Sequence, residues 1–413
     1  MNRLTRLTLS IVVSAFGGAA VLPANGTLPS PEEMWALIQQ QQQQIETLSR
    51  RLDEAETRSA AADRQASLFE EQIEATSTYV ETMADSIGPG ENAWYRRTSL
   101  GGYGELHYNT GDRDEIDFHR FVLFVNHEFS DEIRLFSELE VEHALAGDDA
   151  PGEVELEQAF IEFDLSDQSR ARAGLFLLPI GILNEIHEPN TFYGVERNRV
   201  ETSIIPTTWW EGGLGYTRQF ENGLSWDLAL HSGLNTATAN IRAGRQKVAK
   251  ATAEDGAATT RIKYTGVPGL ELAASLQVQQ DIAQGALPNE SAGATLAEVH
   301  ADWRRDGFGL RALYARWDIS GATAEALGRD VQVGYYLEPS YRFTTTLGDL
   351  GFFARYSVVD NSAGDSIDSR QSYTDVGMNY WPHPQVVFKA DVQFADLPSS
   401  SDETLNLGVG FQF

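Results

Sequence analysis

The chain has 413 residues, no cysteine and a formal net charge of -29 at pH 7, with a mean hydropathy of -0.31. The lack of cysteine excludes disulfides and thiolate metal sites, and the acidic balance argues against nucleic acid or an anionic membrane surface as a ligand of the whole protein. Beyond the amino terminus no apolar run approaches the roughly 18 residues that a membrane-spanning helix requires, which excludes a helical membrane protein.

Residues 1–24 have the pattern of a secretory signal peptide. Arg3 and Arg6 precede an apolar core that ends at Ala20, and small residues follow up to Ala24. This order of basic, apolar and small residues is typical of a cleaved export signal. We expect cleavage after Ala24, with Ala20 as a second candidate site, because the apolar core is too short for a membrane anchor.

Residues 25–92 are predicted to form an α-helical coiled-coil stalk in the periplasm. Ser30, Pro31 and Glu33 form a helix-start signal, and neither glycine nor proline follows before Gly88. The first heptad position is held by Ile38, Ile45, Leu52, Ser59, Ala66, Ile73, Val80 and Ile87, and the second by Gln41, Leu48, Ala55, Ala62, Phe69, Thr76 and Met83. The polar residues and alanines among them predict a helix that needs oligomerisation or a tether, and isoleucine at the first position favours three or more helices.

From residue 93 onwards the hydrophobic period changes to two, which predicts a β-barrel domain over 93–413. Trp94 and Tyr95 form an aromatic pair typical of a membrane interface. About 16 alternating segments follow, near the ~9 to 11 residues of a tilted spanning strand. The predicted strands are 98–109, 116–129, 133–143, 153–165, 170–178, 212–220, 223–232, 259–266, 269–280, 294–303, 308–318, 330–343, 350–359, 371–381, 385–394 and 405–413.

The connections between these segments alternate in length. The short ones are 130–132, 166–169, 221–222, 266–268, 304–306, 344–348 and 382–383, and the long ones are 144–152, 179–211, 233–258, 281–293, 319–329, 360–369 and 396–402. Transmembrane barrels have short periplasmic turns and longer external loops. A soluble sandwich has no reason to alternate in this way, and its strands would be nearer ~5 to 6 residues. The fold class predicted is therefore all-β, an antiparallel transmembrane barrel of about 16 strands in the bacterial outer membrane.

The last strand ends the chain on an aromatic residue. Its sequence, L-N-L-G-V-G-F-Q-F, places the large apolar side chains on one face and Asn406, Gly408, Gly410 and Gln412 on the other. An apolar edge strand invites aggregation in a soluble domain, whereas a closed barrel has no edge. This ending resembles the closing strand of bacterial outer-membrane barrels. The resemblance implies that Phe413 is part of the signal read by the barrel assembly machinery, with outer-membrane lipid around the strand.

Basic side chains within the strands are expected to face a water-filled lumen. An arginine or lysine that faces lipid at mid-depth costs roughly 2 to 4 kcal/mol, so these residues report the interior face. Those out of phase with the apolar face are Arg120, Arg134, Arg170, Arg172, Arg261, Lys263, Arg311, Arg342, Arg355 and Lys389. Acidic residues such as Glu105 and Asp391 share that face. Each charged residue therefore has two interpretations: it is paired with an opposite charge on a polar wall, or it contacts the solute directly.

The connection 179–211 mixes apolar, aromatic and charged residues. A loop of this length with its own apolar content needs a surface to pack on, and within a barrel that surface is the inner wall. We expect the loop to fold inward and narrow the channel, with Glu196, Arg197 and Arg199 near the pore axis. The alternative is an external lid.

Several motifs in this region resemble those of the porin O and P family. They are Gly174-Leu175-Phe176 with Pro179 and Gly181, Phe192 followed by Val195-Glu196-Arg197-Asn198, the Gly-rich strand Gly212 to Tyr216, the opening G-Y-G-E-L at 102–106, and Phe118-His119-Arg120. The resemblance implies a homotrimeric channel whose third external loop enters the pore and which carries small anionic or polar solutes. Phosphate-selective members have an arginine ladder and constriction lysines, whereas this wall is mixed in sign and 179–211 contains no lysine.

The leading interpretation is a porin for passive diffusion of small hydrophilic, anionic solutes. The alternatives are a barrel that anchors a structural tether to the cell wall, and a channel that prefers cations or sugars. An enzyme would need a Ser/His or Asp/His constellation, and none is evident around His107, His119, His231 or His300. We expect no catalytic residue, cofactor, metal site or nucleic-acid partner.

Overall fold

The computed structural model describes Trp35, Gln42 and residues 94–111, 114–146 and 151–413. The predicted signal peptide and nearly all of the predicted coiled coil lie outside the described residues. No helix among the residues described is long and apolar enough to cross a membrane. The fold belongs to the unit Asn92–Phe413.

Sixteen strands form a single closed antiparallel barrel, in which each strand pairs with its neighbours in chain order and the first pairs with the last. The strands are β1 (Thr98–Asn109), β2 (Glu115–Glu128), β3 (Ile133–Glu142), β4 (Val154–Ser166), β5 (Ser169–Leu177), β6 (Trp210–Gln219), β7 (Leu224–His231), β8 (Ala257–Val267), β9 (Leu270–Gln279), β10 (Ala294–Arg305), β11 (Phe308–Ile319), β12 (Val331–Thr345), β13 (Gly348–Asp360), β14 (Gln371–His383), β15 (Val386–Leu397) and β16 (Ser400–Gln412). The predicted closed barrel is confirmed, and every predicted strand overlaps one of these sixteen.

Short helical segments occur in the connections. They are α1 (Val200–Ser203), α2 (Ala322–Ala326) and the 3₁₀ turns Trp94–Arg97 and Arg242–Gly244.

The barrel closes where the sequence predicted, between β16 and β1. The backbone N–H of Gly102 donates to the carbonyl of Phe413 at 3.0 Å, and the N–H of Phe413 donates back at 2.9 Å. Leu405 and Leu407 of β16 are exposed on the outside, whereas the glycines Gly408 and Gly410 face the interior. The alternation of the terminal segment therefore separates a lipid-facing surface from an interior surface.

One connection differs from the prediction. We expected a long loop at 396–402, but β15 and β16 continue to a tight turn in which Leu397 pairs with Ser400. Residues Ser400 to Glu403 are polar, so the alternation of apolar residues did not predict this part of β16. Strands pair through backbone hydrogen bonds, which need no apolar side chains where the strand extends beyond the lipid. The other long connections, including 178–209 and 232–256, lie at the same end of the barrel.

An apolar core lies inside the barrel. It is formed mainly by β5 to β12 and by the connections 178–209, 232–256 and 280–293, and its largest buried side chains include Trp209, Trp317, Phe176, Leu178, Ile180, Ile204, Ile205, Leu234, Ile241, Ile282 and Leu296. A core of this kind inside a barrel means that long connections fold inward, because apolar side chains are stabilised where water is excluded.

Candidate functional site

Residues 178–209, which we call the inserted loop, lie within the barrel. The loop leaves β5 and returns at β6, yet Val195 donates its N–H to Asp391 of β15 at 2.7 Å, and Arg355 of β13 donates to the carbonyl of Tyr193 at 3.2 Å. On β1, a ring nitrogen of His107 lies 3.0 Å from Glu196. These strands are far from β5 around the barrel, so the expected inward fold is confirmed and an external lid does not fit the contacts.

Glycines on the interior wall leave space for this loop. A Cβ built on Gly410 would lie 2.7 Å from Cγ of Pro189, and one on Gly408 would lie 3.2 Å from a methyl group of Val195. Carbon atoms do not pack at the first of these distances without displacement. The small residues on one face of the terminal strand therefore make room for the inserted loop.

A buried carboxylate, that of Glu201, accepts hydrogen bonds from several parts of the loop. Glu201 is fully buried and accepts hydrogen bonds from the backbone N–H groups of Ile182 and Leu183 at 2.8 and 2.6 Å. It also accepts from the hydroxyl of Tyr336 on β12 at 2.8 Å and from the side-chain amide of Asn198 at 3.2 Å. One side chain thus links both arms of the loop to the wall. Sequence reasoning missed Glu201, whose only signal was a lone acid within the apolar run V-E-T-S-I-I.

Two further contacts fix the loop ends and its apolar side. The amide of Asn184 donates to the carbonyls of Leu178 and Trp209, each at 2.9 Å, which ties the start of the loop to its end. On β11 the indole N–H of Trp317 donates to the carbonyl of Ile204 at 2.8 Å. Both amide and indole groups are buried, where an unmade hydrogen bond would be costly.

All ten cations predicted to face the lumen share the interior face, because each pairs across the strands with other interior residues. Eight of them form ion pairs: Arg120, Arg134, Arg170, Arg261, Lys263, Arg311, Arg342 and Arg355. The other two lie against aromatic rings, with Arg172 4.4 Å from the centroid of Phe176 and Lys389 3.5 Å from that of Phe192. The wall is therefore a set of local charge pairs and not a continuous ladder of free arginines.

Some wall cations support the inserted loop directly. Arg311 donates to the carbonyl of Thr191 at 3.0 Å, and Arg355, which is paired with Glu338 and Asp375, also reaches the carbonyl of Glu196. A guanidinium has five donors, so it can satisfy a carboxylate and a loop carbonyl together. These residues position the loop.

The placement of Glu196 differs from the expectation. We expected it near the pore axis, but it is held against the wall, where it accepts from Asn109 at 2.9 Å and contacts His107. Burial alone would raise the pKa of Glu196, and the contacts with His107 and Asn109 lower it to about 2. Glu196 is therefore an anionic anchor, because the neighbouring ring and amide offer it hydrogen bonds that solvent would otherwise supply.

Arg199 also lies against the wall, over the ring of Tyr373 on β14, 5.4 Å from its centroid. Its guanidinium donates to Gln393 at 3.4 Å. The third predicted residue, Arg197, donates to the hydroxyl of Thr208 at 3.3 Å. None of these partners carries a charge, so both arginines keep their positive charge uncompensated by direct contact.

His187 is a further anchor that the sequence did not reveal. Its Nε2 lies 3.6 Å from carboxylate oxygens of Glu138 and Glu157 on the wall. Burial lowers the pKa of the imidazole, but the two carboxylates outweigh it and hold the pKa well above its ordinary value. A β-bulge in β4, where the register shifts next to Glu138, adds an extra residue that turns Glu157 inward.

Two cavities lie on opposite sides of the inserted loop. The one towards the long connections has a volume of 340 Å³ and is lined by Arg197, Arg199 and Arg242, among others. The one towards the short turns has a volume of 520 Å³. Phe192 lines both, so this residue lies between them.

The first cavity has an excess of positive charge. Both of its acidic lining residues have a basic partner: Glu105 is paired with Arg120 at 2.6 Å, and Glu196 lies 3.0 Å from a ring nitrogen of His107. Arg197, Arg199 and Arg242 line the same space and form no ion pair with any carboxylate in the described part of the chain. Guanidinium groups in such a place can hold an anion through charge and directed hydrogen bonds.

Solved structures with this architecture are outer-membrane porins. An anion-selective porin from Comamonas acidovorans superposes with a TM-score of 0.54 at 11% identity, covering 76% of this chain and 99% of that chain. OmpF of Salmonella typhi, in complex with daunomycin, gives 0.54 at 16% identity over 76% and 97%. OprB of Pseudomonas putida gives 0.53 at 11% identity over 77% and 95%. The fold is therefore that of the outer-membrane porins.

By sequence, the chain is 30% identical over 365 residues to an uncharacterized protein of Aquifex aeolicus (strain VF5), covering 77% of this chain and 81% of that protein. The chain belongs to the same family as this Aquifex aeolicus protein. No model of a known protein family matches the sequence.

Proposed function

We propose that this protein is a porin of the bacterial outer membrane that permits passive diffusion of small hydrophilic, anionic solutes through a channel narrowed by the inserted loop. The observation that carries the proposal is the cavity beside the loop, in which Arg197, Arg199 and Arg242 line a water-accessible space without ion-pair partners among the residues described. Charged constrictions of this kind select permeating ions by sign.

The wall charges support this preference because most of them cancel locally. Arg355 is held between Glu338 and Asp375, both at 3.1 Å, and Arg261 lies 2.9 Å from Asp227. Paired groups contribute little net field beyond their immediate surroundings. The three arginines of the cavity therefore dominate the local potential, although the chain as a whole carries a net charge of -29.

The narrowing is tested by removing residues Tyr193 to Val200 of the inserted loop. We expect a larger single-channel conductance in planar bilayers, since this segment separates the two cavities. A deletion of equal length within the external connection 361–370 is the matched control and should leave conductance unchanged. An unchanged conductance of the Tyr193 to Val200 deletion would contradict the narrowing.

The anionic preference is tested separately by the reversal potential under a potassium chloride gradient. We expect the sign that corresponds to chloride permeation. A reversal potential of the cationic sign would overturn the preference while leaving the diffusion function in place. Neutral sugars, followed by liposome swelling, distinguish a sugar-preferring channel.

We further propose the organisation expected from the sequence: a signal peptide at 1–24, a periplasmic coiled-coil stalk at 25–92 and the channel domain at 93–413, assembled as a homotrimer of the porin O and P type. The uninterrupted heptads of the stalk support the trimer. Mass measurement of the full chain and of a variant lacking 25–92 in detergent tests this assembly, and a monomeric full chain would contradict it.

Phe413 is proposed to act as part of the signal read by the barrel assembly machinery. Its ring lies 6.2 Å from that of Phe121 on the outer surface, so it is accessible at the barrel end. We expect a Phe413→Ser variant to reach the membrane in reduced amount, whereas Phe121→Leu, which loses the same ring contact, should assemble normally.

One alternative is a barrel that only anchors a tether to the cell wall. The apolar core inside the barrel favours it, since packed loops reduce the space for solutes. A barrel of this kind would show no stable conductance steps in planar bilayers, whereas a porin would.

A further inference from the structure

Three possible metal ligands converge at the external end of β2 and β3. Nδ1 of His119 lies 3.2 Å, and Nδ1 of His143 lies 2.8 Å, from the same carboxylate oxygen, Oδ2 of Asp117. One ligand atom from each of the three residues lies within 4.8 Å of the others. A tetrahedral zinc ion with bonds of about 2.0 to 2.2 Å needs ligand atoms roughly 3.3 to 3.6 Å apart. The observed cluster is therefore close to the spacing of a metal-bound set.

An irregularity of the barrel places His119 on the interior face. Arg120 pairs with Glu105, but Asp117 pairs with His107, so β2 carries one residue more than β1 between these pairs. Such a bulge turns a side chain to the interior face when regular alternation would place it on the outer face. Asp117, His119 and Arg120 consequently all face the interior, which three residues so close in sequence cannot do in a regular strand.

The backbone of the third residue is also unusual. His143 has a φ of 50° and Ala144 one of 44°, a left-handed conformation that residues other than glycine rarely adopt. The N–H of His143 donates to the carbonyl of His119 at 3.1 Å. This local turn at the end of β3 holds the His143 ring beside Asp117.

We propose that Asp117, His119 and His143 bind a divalent transition-metal ion of the Zn²⁺ type at the external mouth of the barrel. Two imidazole nitrogens and one carboxylate suit zinc and its neighbours, whereas calcium and magnesium prefer oxygen ligands alone. The side chains of Asp117, His119 and His143 are 24%, 27% and 32% exposed, so an ion can reach them. A fourth position remains for water or an anion.

The site adjoins the wall contact that positions the inserted loop. The ring of His107 stacks on that of His119 with centroids 4.8 Å apart and an angle of 16°, and His107 also contacts Glu196 of the loop. A bound dication would add positive charge next to the cavity that contains Arg197 and Arg199. The binding itself does not depend on whether the channel conducts, so it is measured independently of the proposed function.

The test is isothermal titration of the tag-free full chain in detergent with ZnCl₂. We expect about one ion per chain, and an affinity weaker by at least about tenfold in His119→Gln and in His143→Gln, since even the loss of a residue that only supports a metal ligand typically costs about 10- to 100-fold. His127→Gln is the matched control, because His127 lies on the same strand and contacts Thr98 near the opposite end. Its affinity for zinc should equal that of the unsubstituted chain.

Titration with Co²⁺ gives a second readout, since a low-coordinate site with imidazole ligands produces visible d–d absorption that His119→Gln should abolish. Circular dichroism of each variant establishes that the barrel is intact. Absence of zinc binding to the unsubstituted chain would overturn the proposal. So would zinc binding that persists at full affinity in the double variant His119→Gln/His143→Gln, or CaCl₂ binding as tight as that of zinc.

Discussion

The two sides of the barrel interior are built on different physical principles. On the side of β5 to β12, the inserted loop packs through buried apolar groups such as Trp317 and Ile204. On the side of β13 to β16 and β1 to β4, the wall holds charged and amide groups such as Arg355, Asp391 and Glu105. The apolar groups of the first side secure the loop by packing, and the second side adjoins the cavity that carries uncompensated positive charge.

This difference separates stability from selectivity. Apolar burial is non-directional and contributes roughly 25 cal/mol per Å² wherever water is excluded. Buried ion pairs contribute little net stability, because desolvation offsets their attraction, but they fix side-chain geometry. Substitutions on the apolar side should therefore release the loop, whereas substitutions of the cavity arginines should change selectivity and leave the loop in place.

The largest effect on the stability of the inserted loop is expected for Glu201→Ala, which removes the buried acceptor of four hydrogen bonds. Leaving buried donors unpaired costs about 1 to 3 kcal/mol each. We therefore expect the free energy that holds the loop inside the barrel to fall by at least about 3 kcal/mol. Limited proteolysis of the inserted loop and single-channel noise measure it. Tyr336→Phe, which removes a single donor, is the graded control and should lose about 1.5 to 3 kcal/mol.

A loop equally resistant to protease in Glu201→Ala and in the unsubstituted chain would show that the apolar packing alone holds it. The two sides of the interior would then differ less than their contacts indicate.

A smaller effect is expected for Gly410→Val on the interior face of β16. The new side chain would overlap Pro189 of the inserted loop, and overpacking of this kind costs about 1 to 3 kcal/mol. We expect a lower midpoint of thermal unfolding in detergent and a loop more sensitive to protease. Leu407→Val on the outer face of the same strand is the control, and equal behaviour of the two variants would exclude a specific contact with the loop.

Much of this architecture could be predicted from the sequence, because alternation is a local property. In the terminal strand, five alternating apolar residues indicated the lipid-facing side. In other strands, basic residues out of phase with the apolar face, such as Arg355, indicated the interior side. The apolar content of 179–211 sufficed to predict an inward fold. Each of these inferences needs only the period of the strand and the cost of burying charge in lipid.

The details of the site could not be predicted, because they depend on partners from distant strands. Glu201 acquires its role from Ile182 and Tyr336, and no sequence spacing relates these residues. His119 faces the interior through a bulge, which breaks the alternation on which the prediction rests. Arg242 belongs to a different connection and reaches the cavity only because that connection also folds inward.

A pH effect of about 1 kcal/mol is expected at Glu196. Its pKa falls from an ordinary 4.5 to about 2 when the loop is docked. The ionised form therefore stabilises docking fully above pH 4.5, and this contribution is lost as the pH falls through about 2. Because the side chain is 32% exposed, solvent screening reduces the effect to about 1 kcal/mol.

We therefore expect constant conductance at neutral and mildly acidic pH, with more frequent loop openings as the pH falls below 4.5. Glu196→Gln keeps hydrogen-bonding groups towards His107 and Asn109 but cannot titrate, so its opening frequency should not vary over that acidic range. An identical acid response of both proteins would assign the titration to another group.

The smallest effect on stability, and the sharpest test of the comparison, is expected for Arg199→Gln. The guanidinium of this arginine contacts Tyr373 and Gln393 and has no ion-pair partner among the described residues. Its loss should therefore change the free energy that holds the loop inside the barrel by less than about 1 kcal/mol. The reversal potential should nevertheless move towards zero, because one of three uncompensated positive charges leaves the cavity. Arg370→Gln, an exposed arginine outside the residues that line the cavity, should leave the potential unchanged. If Arg199→Gln instead released the loop without altering selectivity, Arg199 would be a further anchor of the loop, and the separation between stability and selectivity would fail at this residue.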